Sequence, residues 1–499
     1  MANPVNIYSL SRIQSEQAFN SINKHLSGQK SRIKQTEIAS LRLFVDKMVT
    51  FALPIEFFDG FFYSFKIPQI GKEFDLLKLS NDYCINIEFK STSVGYDRIL
   101  KQLVQNKHYL NHLSKRVELY TVITDTMVCY KLSMENTLIE VDISEIKNAL
   151  ENLLQNYIIN IDNLFRPADY LVSPLNTPDK FLQGEYFLTQ QQEEVKGDFL
   201  KKVSCLKNAA FFHITGKPGT GKTLLLYDLA KALSTNGKTL LVHCGILSEN
   251  QVKIKNSITN LDIISAKQLK GDNYELSTYS FILVDEAHRI YYPQFTRICT
   301  SVYENKQICM FSSDPGQILS RAEQRRQIVD KINQLDLSGK YELSDRIRTN
   351  KELISFMRQM IDLNDTPKEH MNYPNISLNY ANDSTEARLL LNYYHNRDFI
   401  FINFSKTNYG HSPYSEYIFE EDFDTHHVIG QEFDNVVILM DNSFFYNSAN
   451  TLSSISHPNP DYLYPNLFYQ GITRAREKLA IIIVETPELF EKMASIVSN

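Results

Sequence analysis

Three groups of residues in this chain have the types and spacing that chemistry needs. The first is Gly216-Lys217-Pro218-Gly219-Thr220-Gly221-Lys222-Thr223, a G-x-x-x-x-G-K-[ST] run. Gly216, Gly219 and Gly221, with Thr220 between the last two, let backbone N–H groups turn inward around a phosphate. Lys222 is placed to neutralise the β- and γ-phosphates of ATP, and Thr223 to hold its Mg²⁺. The second group is Asp285-Glu286-Ala287-His288, closing the apolar run Phe281–Val284 63 positions after Lys222. Asp285 completes the Mg²⁺ shell in this reading and Glu286 orients the attacking water, so ATP hydrolysis is the expected reaction. The third group is Asp75, Glu88 and Lys90, a D-x12-E-x-K pattern. Two convergent carboxylates bind Mg²⁺ or Mn²⁺ through oxygen, and a lysine alongside positions or helps deprotonate a water, a set suited to phosphodiester hydrolysis.

Each group implies an element that holds it. An apolar run (Ala209 to Ile214) precedes the phosphate loop and a helical run (Leu224 to Leu233) follows it, the strand–loop–helix context such a loop requires. Further strands are expected at Phe211 to Thr215, Thr239 to His243, Phe281 to Val284 and Ile308 to Phe311, alternating with helices as in a doubly wound parallel sheet. A second such unit is expected from Ser338, with strands at Phe399 to Asn403, Asn435 to Met440 and Leu479 to Val484 and a last helix from Pro487 to Ile496. Asp75 falls in the strand-like Gly71–Leu79, and after Ser80-Asn81-Asp82 the run Tyr83–Lys90 reads as its partner strand. Period-2 alternation sets Glu88 and Lys90 on one face, with Asp75 opposite them.

The chain has 499 residues, 43% hydrophobic and 22% charged, too long for one hydrophobic core and ordinary in composition for a globular protein. The Pro-dotted stretch from Arg166 through Pro174 to Pro178 marks the clearest boundary. It divides a domain at 1–165 from a linker at 166–180, a first lobe at 181–337 and a second lobe at 338–499. No apolar run approaches the roughly 18 residues of a membrane span, and Met1 to Leu10 lacks a signal-peptide core. Six scattered cysteines (Cys84, Cys129, Cys205, Cys244, Cys299, Cys309) without a C-x-x-C pair argue against a zinc ribbon or disulfide framework and for a cytoplasmic location. A net charge of −6 leaves any nucleic-acid binding to local grooves.

From about Tyr186 to Glu485 the motifs resemble those of superfamily 1 helicases, in the family's order. Leu188-Thr189-Gln190-Gln191-Gln192 resembles the Q motif, which implies that Gln192 reads the adenine edge. Ser313-Asp314-Pro315-Gly316-Gln317 resembles motif III, with Gln317 as γ-phosphate sensor. Leu343-Ser344-Asp345-Arg346-Ile347-Arg348 resembles motif IV. His426-His427-Val428-Ile429-Gly430-Gln431-Glu432-Phe433-Asp434 resembles motif V, adding Gly430 and Glu432 to the nucleotide site. Tyr469-Gln470-Gly471-Ile472-Thr473-Arg474-Ala475-Arg476 resembles motif VI. The resemblance implies two RecA-like lobes with Arg348 and Arg474 as arginine fingers from the second, neutralising charge that develops in the transition state. Ile347 stands where the family often has an aromatic residue. The intervals Lys222–Asp285 (63 positions) and Arg348–His426 (78 positions) leave little room for inserted subdomains. This compactness is closer to the schlafen-like branch than to long-range unwinding helicases.

The Asp75, Glu88 and Lys90 set resembles the PD-(D/E)xK nuclease fold, a restriction-endonuclease-like α/β domain. The helical segment Thr36 to Met48 carries Glu37, implied as an additional metal-site acid. Gln105-Asn106-Lys107-His108-Tyr109 reproduces the Q-x-x-x-Y feature of the RecB-like branch, with Gln105 and Tyr109 one turn apart. Phe74 replaces the family's proline, and the iron–sulfur cysteines of some relatives are absent. Three other features read as structural or neutral. His213 is a core histidine, the 28 Tyr and 30 Phe residues are chiefly core with some capacity to stack single-stranded bases, and Arg321, Arg325 and Arg326 form a basic helical face. The combined expectation is an ATP-dependent nuclease–helicase acting on nucleic acid, DNA before RNA, with ATP, Mg²⁺ and Mn²⁺ as cofactors. Its layout is that of prokaryotic defence proteins against foreign DNA, with a homo-oligomer or a partner subunit compatible with it. Two alternatives stand beside it: a motor whose N-terminal domain only binds, and an ATP-gated switch subunit of a larger complex.

Overall fold

The runs Leu240–Val242 and Phe281–Val284 are apolar without alternation, the pattern of strands covered on both faces. In the computed structural model they lie inside a parallel sheet with every one of these residues buried. The structure describes residues 2–27, 33–67, 70–113, 115–153, 157–161, 164–165, 172–271, 274–344, 351–367, 371–405, 417, 423–455 and 462–498. The chain divides into two units, Met1–Tyr170 and Leu171–Asn499.

The first unit is built on a six-stranded sheet in sequential order: β1 (Phe62–Lys66), β2 (Glu73–Leu79), β3 (Tyr83–Lys90), β4 (Arg116–Ile123), β5 (Val128–Leu132) and β6 (Leu138–Val141). Neighbours are antiparallel except β3 and β4. That one parallel pair needs a crossover, which helix Tyr96–Asn111 supplies while packing on β4. Helix Gln35–Val49 packs on β3, and Phe44, Leu76, Ile87 and Tyr120 share the core between them.

The second unit holds two parallel sheets, the arrangement expected of RecA-like helicase lobes. The first has the order β12-β7-β11-β10-β8-β9, formed by β7 (Ala210–Gly216), β8 (Thr239–His243), β9 (Leu261–Ser265), β10 (Phe281–Asp285), β11 (Ile308–Ser313) and β12 (Leu337–Leu343). The second has the order β13-β19-β16-β14-β15, from β13 (Ile376–Ala381), β14 (Ile400–Asn403), β15 (Phe423–Asp424), β16 (Phe433–Met440) and β19 (Ala475–Val484). A hairpin of β17 (Phe444–Tyr446) and β18 (Leu452–Ser454) stands apart, and helix Pro487–Ser498 closes the chain.

Two expected boundaries move. The second lobe does not open at Ser338, because β12 pairs with β7 (Tyr341 against Ile214) and completes the first sheet. The stretch 166–180 is not a linker beyond residue 171: Val172 and Leu175 are buried in the first lobe's core, and Pro178 opens the helix Pro178–Gln183. Strand β13 was not anticipated; Ser377 and Asn379 interrupt its apolar pattern, and only Ala381 is fully buried. Among the described residues no helix is long and apolar enough to cross a membrane.

Candidate nucleotide and metal sites

Strand β7 ends at Gly216, and helix Lys222–Leu233 starts from Gly221, whose φ of +78° is a glycine conformation. Gly216 is required for space: a Cβ there would meet Thr220 Oγ1 at 2.7 Å and the Leu343 carbonyl of β12 at 2.9 Å. Lys222 Nζ donates to the carbonyls of Gly216 (2.6 Å) and Lys217 (3.1 Å) and stands 3.5 Å from the Asp314 carboxylate. Thr223 Oγ1 donates to Asp285 Oδ2 at 3.3 Å, and both residues are buried. A hydroxyl and a carboxylate brought together beside the phosphate loop form a hard-oxygen pair that fits Mg²⁺.

Glu286 leaves the end of β10 with φ +55°, a left-handed backbone that non-glycine residues rarely adopt and that clusters at functional sites. Its side chain lines one cleft with Lys222, Thr223 and Gln317 of the first lobe and Gly430, Glu432 and Arg474 of the second. Burial alone raises the Glu286 pKa, but the charges of His288 (when protonated), Arg289, Lys222 and Arg474 outweigh it and hold it at about 2. Such a carboxylate is a weak proton acceptor near neutral pH, so its geometry suits orienting a water rather than storing its proton. Arg474 sits just past helix Tyr464–Ile472 and is itself buried; Nε donates to the Gln470 carbonyl and Nη1 to that of Gln431, both at 3.2 Å. Burial lowers its pKa while Glu432 and Glu286 counter the shift, and a guanidinium stays charged throughout.

Two nucleotide-site expectations change. Gln192 does not present a free amide to adenine. Its Oε1 accepts from Thr189 N–H in a capping box, and its Nε2 donates to the carbonyls of Thr220 (3.1 Å) and Gly221 (3.3 Å), bracing the phosphate loop. Arg348 and the rest of 345–350 lie outside the described residues. Several contributors carried no sequence signal of their own. Asn176 exchanges two hydrogen bonds with the backbone of Glu432, at 2.6 and 3.1 Å. Arg289 Nε donates to Glu286 Oε2 at 3.2 Å, and its position three residues after Glu286 was the one available hint.

His213 is fully buried, its Nε2 2.8 Å from Ser313 Oγ, a core histidine as expected. Arg326 is not a free basic surface: its Nη1 donates to the Arg289 and Ile290 carbonyls and its guanidinium lies 4.1 Å from the Tyr291 ring centroid. Burial lowers the pKa of His213 to about 4, and burial reinforced by Arg289 does the same for His288. Both are therefore neutral in the folded chain, whereas the unfolded chain takes up these protons near pH 6.5. Their contribution to stability is complete above about pH 6.5 and declines as pH falls toward 4, by a few kcal/mol for the pair. The thermal midpoint of His213→Gln should accordingly fall less than that of the wild type between pH 7 and pH 5; superimposable pH profiles would refute the assignment.

In the first unit the β2–β3 pairing runs from Leu79↔Cys84 to Leu76↔Ile87, and Asp75 and Glu88 are the next residues along the two strands. Asp75 Oδ2 accepts from Phe89 N–H at 2.7 Å. Its carboxyl is pushed well above the usual range, by burial first and then by the Glu88 charge. Asp75 and Lys90 line a cavity of about 160 Å³ with Tyr63, Glu73 and Glu37. Two carboxylates near enough for the Glu88 charge to act on Asp75 are a donor set that a divalent cation satisfies.

Three expectations shift here. Among the described residues no three Asp, Glu, His or Cys side chains converge as a metal-ligand group. Glu37 is engaged at a helix start, its Oε2 accepting from Lys34 N–H at 3.0 Å. The helix residues that hydrogen-bond Glu88 are Gln102 and Asn106, not Gln105 and Tyr109: Asn106 Nδ2 donates to Oε1 at 2.9 Å and Gln102 Nε2 to Oε2 at 2.5 Å, while Asn86 Nδ2 donates to Oε1 at 3.0 Å.

Residues 209–397 match the family model described as Schlafen group 3, DNA/RNA helicase domain. No curated protein matches the chain. Among solved structures it is similar to the Pif1 helicase from Bacteroides in complex with ADP-AlF3 and ssDNA, at 11% identity over 62% of this chain and 97% of that one, TM-score 0.33. It is similar also to Pif1 helicases studied for unwinding of forked dsDNA (13% identity, 60% of this chain and 92% of that one, TM-score 0.31). A third is the flagellar accessory protein FlaH from Methanocaldococcus jannaschii (15% identity, 27% and 72%, TM-score 0.21). The family match lies entirely within the second unit.

Proposed function

We propose that the second unit is an ATP-driven motor on nucleic acid and that the first unit is a metal-dependent nuclease working with it. The observation that carries the motor is one cleft lined by Lys222, Thr223 and Glu286 together with Arg474, which lies nearly 200 positions further along the chain. Thr223 and Asp285 would hold Mg²⁺, which would supply positive charge against the phosphates. Lys222, drawn from its carbonyl partners and Asp314, neutralises the terminal phosphates. Glu286 orients the attacking water, and Arg474 meets the negative charge that develops between the lobes. Gln317 and Gly430, from opposite sides of the cleft, register whether that site is filled. The Schlafen group 3, DNA/RNA helicase match supports nucleic acid as the polymer acted on. Defence against foreign DNA, alone or with a partner subunit, is the role that a fused nuclease and compact motor would serve.

Lys222→Ala should lose ATP affinity. Glu286→Gln should keep it while turnover falls, because an amide of the same size loses the negative charge and one of the two acceptor oxygens that orient water. Binding of a fluorescent ATP analogue and steady-state phosphate release separate the two. Wild-type turnover in Glu286→Gln would remove this carboxylate from the mechanism.

The nuclease reading rests on Asp75 and Lys90 beside one cavity, with the Glu88 charge acting on Asp75. A second reading, a first unit that binds nucleic acid without cutting it, draws support from Glu88. Its oxygens are already taken by Gln102, Asn106 and Asn86, and a ligand role would require some of these amides to yield. Metal-dependent cleavage of labelled DNA and RNA by the full chain distinguishes the two.

A further inference from the structure

Resting on the ATPase reading above, we propose that Glu323 is a positioning residue that ties the orientation of Glu286 to the docking of the second lobe. Glu323 lies on the short helix Arg321–Arg326, is nearly fully buried, and is not part of any of the nucleotide motifs. One side of its carboxylate faces Arg289, whose Nη1 stands 3.4 Å from both Oε1 and Oε2. Arg289 in turn reaches Glu286 through Nε, so a buried acid–base–acid row ends on the water-orienting carboxylate. A buried guanidinium between two carboxylates has little freedom, since leaving either acid unpaired in a low-dielectric setting is costly.

The other side of Glu323 holds the segment that touches the second lobe. Oε2 accepts from Leu319 N–H at 2.7 Å, and the Glu323 N–H donates to Ser320 Oγ at 3.1 Å. The Leu319 carbonyl accepts from Leu463 N–H at 2.9 Å, the Ile318 carbonyl from Asn466 Nδ2 at 2.7 Å, and Ser320 bridges Tyr462. These partners stand at the start of helix Tyr464–Ile472, whose far end leads into Arg474. His426, also from the second lobe, faces the same pair: burial and the Arg289 charge lower its pKa. A single carboxylate thus serves both the group that steadies Glu286 and the backbone that receives the helix leading into Arg474. Retracting the second lobe would pull on the Leu319 segment, loosen Glu323 from Arg289 and release Glu286, so hydrolysis is permitted when the lobes are docked.

The test uses the full chain with Glu323→Gln, Arg289→Met and the double variant. Glu323→Gln keeps an acceptor for Leu319 N–H but loses the charge that holds Arg289. Its kcat for ATP should fall by on the order of 10–100-fold, the range seen when an outer partner of a functional ligand is removed, with KM and fluorescent-nucleotide affinity within about twofold of wild type. The double variant should lose no more than Arg289→Met alone, because both changes break one row. If Arg289→Met does not fold, as judged by its melting transition, Arg289→Lys takes its place in the cycle. Unchanged kcat in Glu323→Gln, a loss confined to KM, or losses that multiply in the double variant would overturn the inference. Glu286→Gln in the same assay keeps the two readings apart. Wild-type turnover there removes the ATPase assignment itself, whereas an inactive Glu286→Gln beside a fully active Glu323→Gln removes only the coupling.

Discussion

Arg474→Ala should slow ATP hydrolysis by roughly 10³-fold or more while leaving nucleotide affinity nearly intact, as removal of an arginine finger does. The structure gives the physical reason. In the proposed mechanism Lys222, Thr223 and Asp285 form the binding half of the site within one lobe, and the contacts described for them do not involve Arg474. Arg474 instead enters from the second lobe with its guanidinium already anchored on the Gln431 and Gln470 carbonyls, so it brings a fixed charge rather than a flexible one. A preoriented cation costs no reorganisation when charge develops, which places its effect in kcat. Single-turnover hydrolysis and equilibrium binding of a fluorescent ATP analogue measure the two halves independently. Unchanged single-turnover rates would place Arg474 outside the chemistry and leave the two-lobe mechanism without its second cation.

Asp75→Ala, Glu88→Ala and Lys90→Ala should each abolish Mg²⁺- or Mn²⁺-dependent strand cleavage and leave ATP turnover at the wild-type level. The separation follows from the division of the chain near residue 170: the hairpin of β2 and β3 folds within the first unit, and the phosphate loop belongs to the second. A bound divalent ion would favour the charged form of Asp75, whose carboxyl is pushed up by burial and then by the Glu88 charge. Labelled single- and double-stranded DNA and RNA, with and without ATP, provide the assay. Cleavage that survives in all three variants would reduce the first unit to a binding module; ATP turnover that falls with cleavage would mean that the two units are not separable.

Much of the nucleotide site could be read directly because its chemistry is local. A phosphate loop needs glycines, a lysine and a hydroxyl within eight consecutive residues, and a metal-binding acid needs the end of a buried strand; Gly216–Thr223 and Phe281–Asp285 meet both conditions. The β2–β3 hairpin was legible for the same reason, since strand alternation and a three-residue turn bring the two runs into antiparallel pairing up to Leu76 and Ile87, next to Asp75 and Glu88. The readings that changed all depend on which partner a side chain finds. Gln192 lies in the expected motif, but a capping box takes its amide oxygen and the phosphate-loop carbonyls take its amide N–H. Gln105 with Tyr109 and Gln102 with Asn106 are both pairs four residues apart. Packing of Ile99, Leu103 and Leu110 against the sheet turns the second pair toward Glu88. Strand β12 looked like the opening of a new lobe until its backbone paired with β7.

The sequence by itself determined the phosphate loop, the acids that complete it, the hairpin that carries Asp75 and Glu88, and the parallel-sheet class of the second unit. Each of these follows from neighbours along the chain and from the period of buried side chains. Only the tertiary structure decided that Arg474 meets Glu286, that Asn176 holds Glu432 across 256 positions, and that Glu323 joins Arg289 to the segment receiving Leu463. These pairings have no local cause: they form where closure of the second unit buries charges that must find partners, and burial makes an unpaired charge too costly to keep.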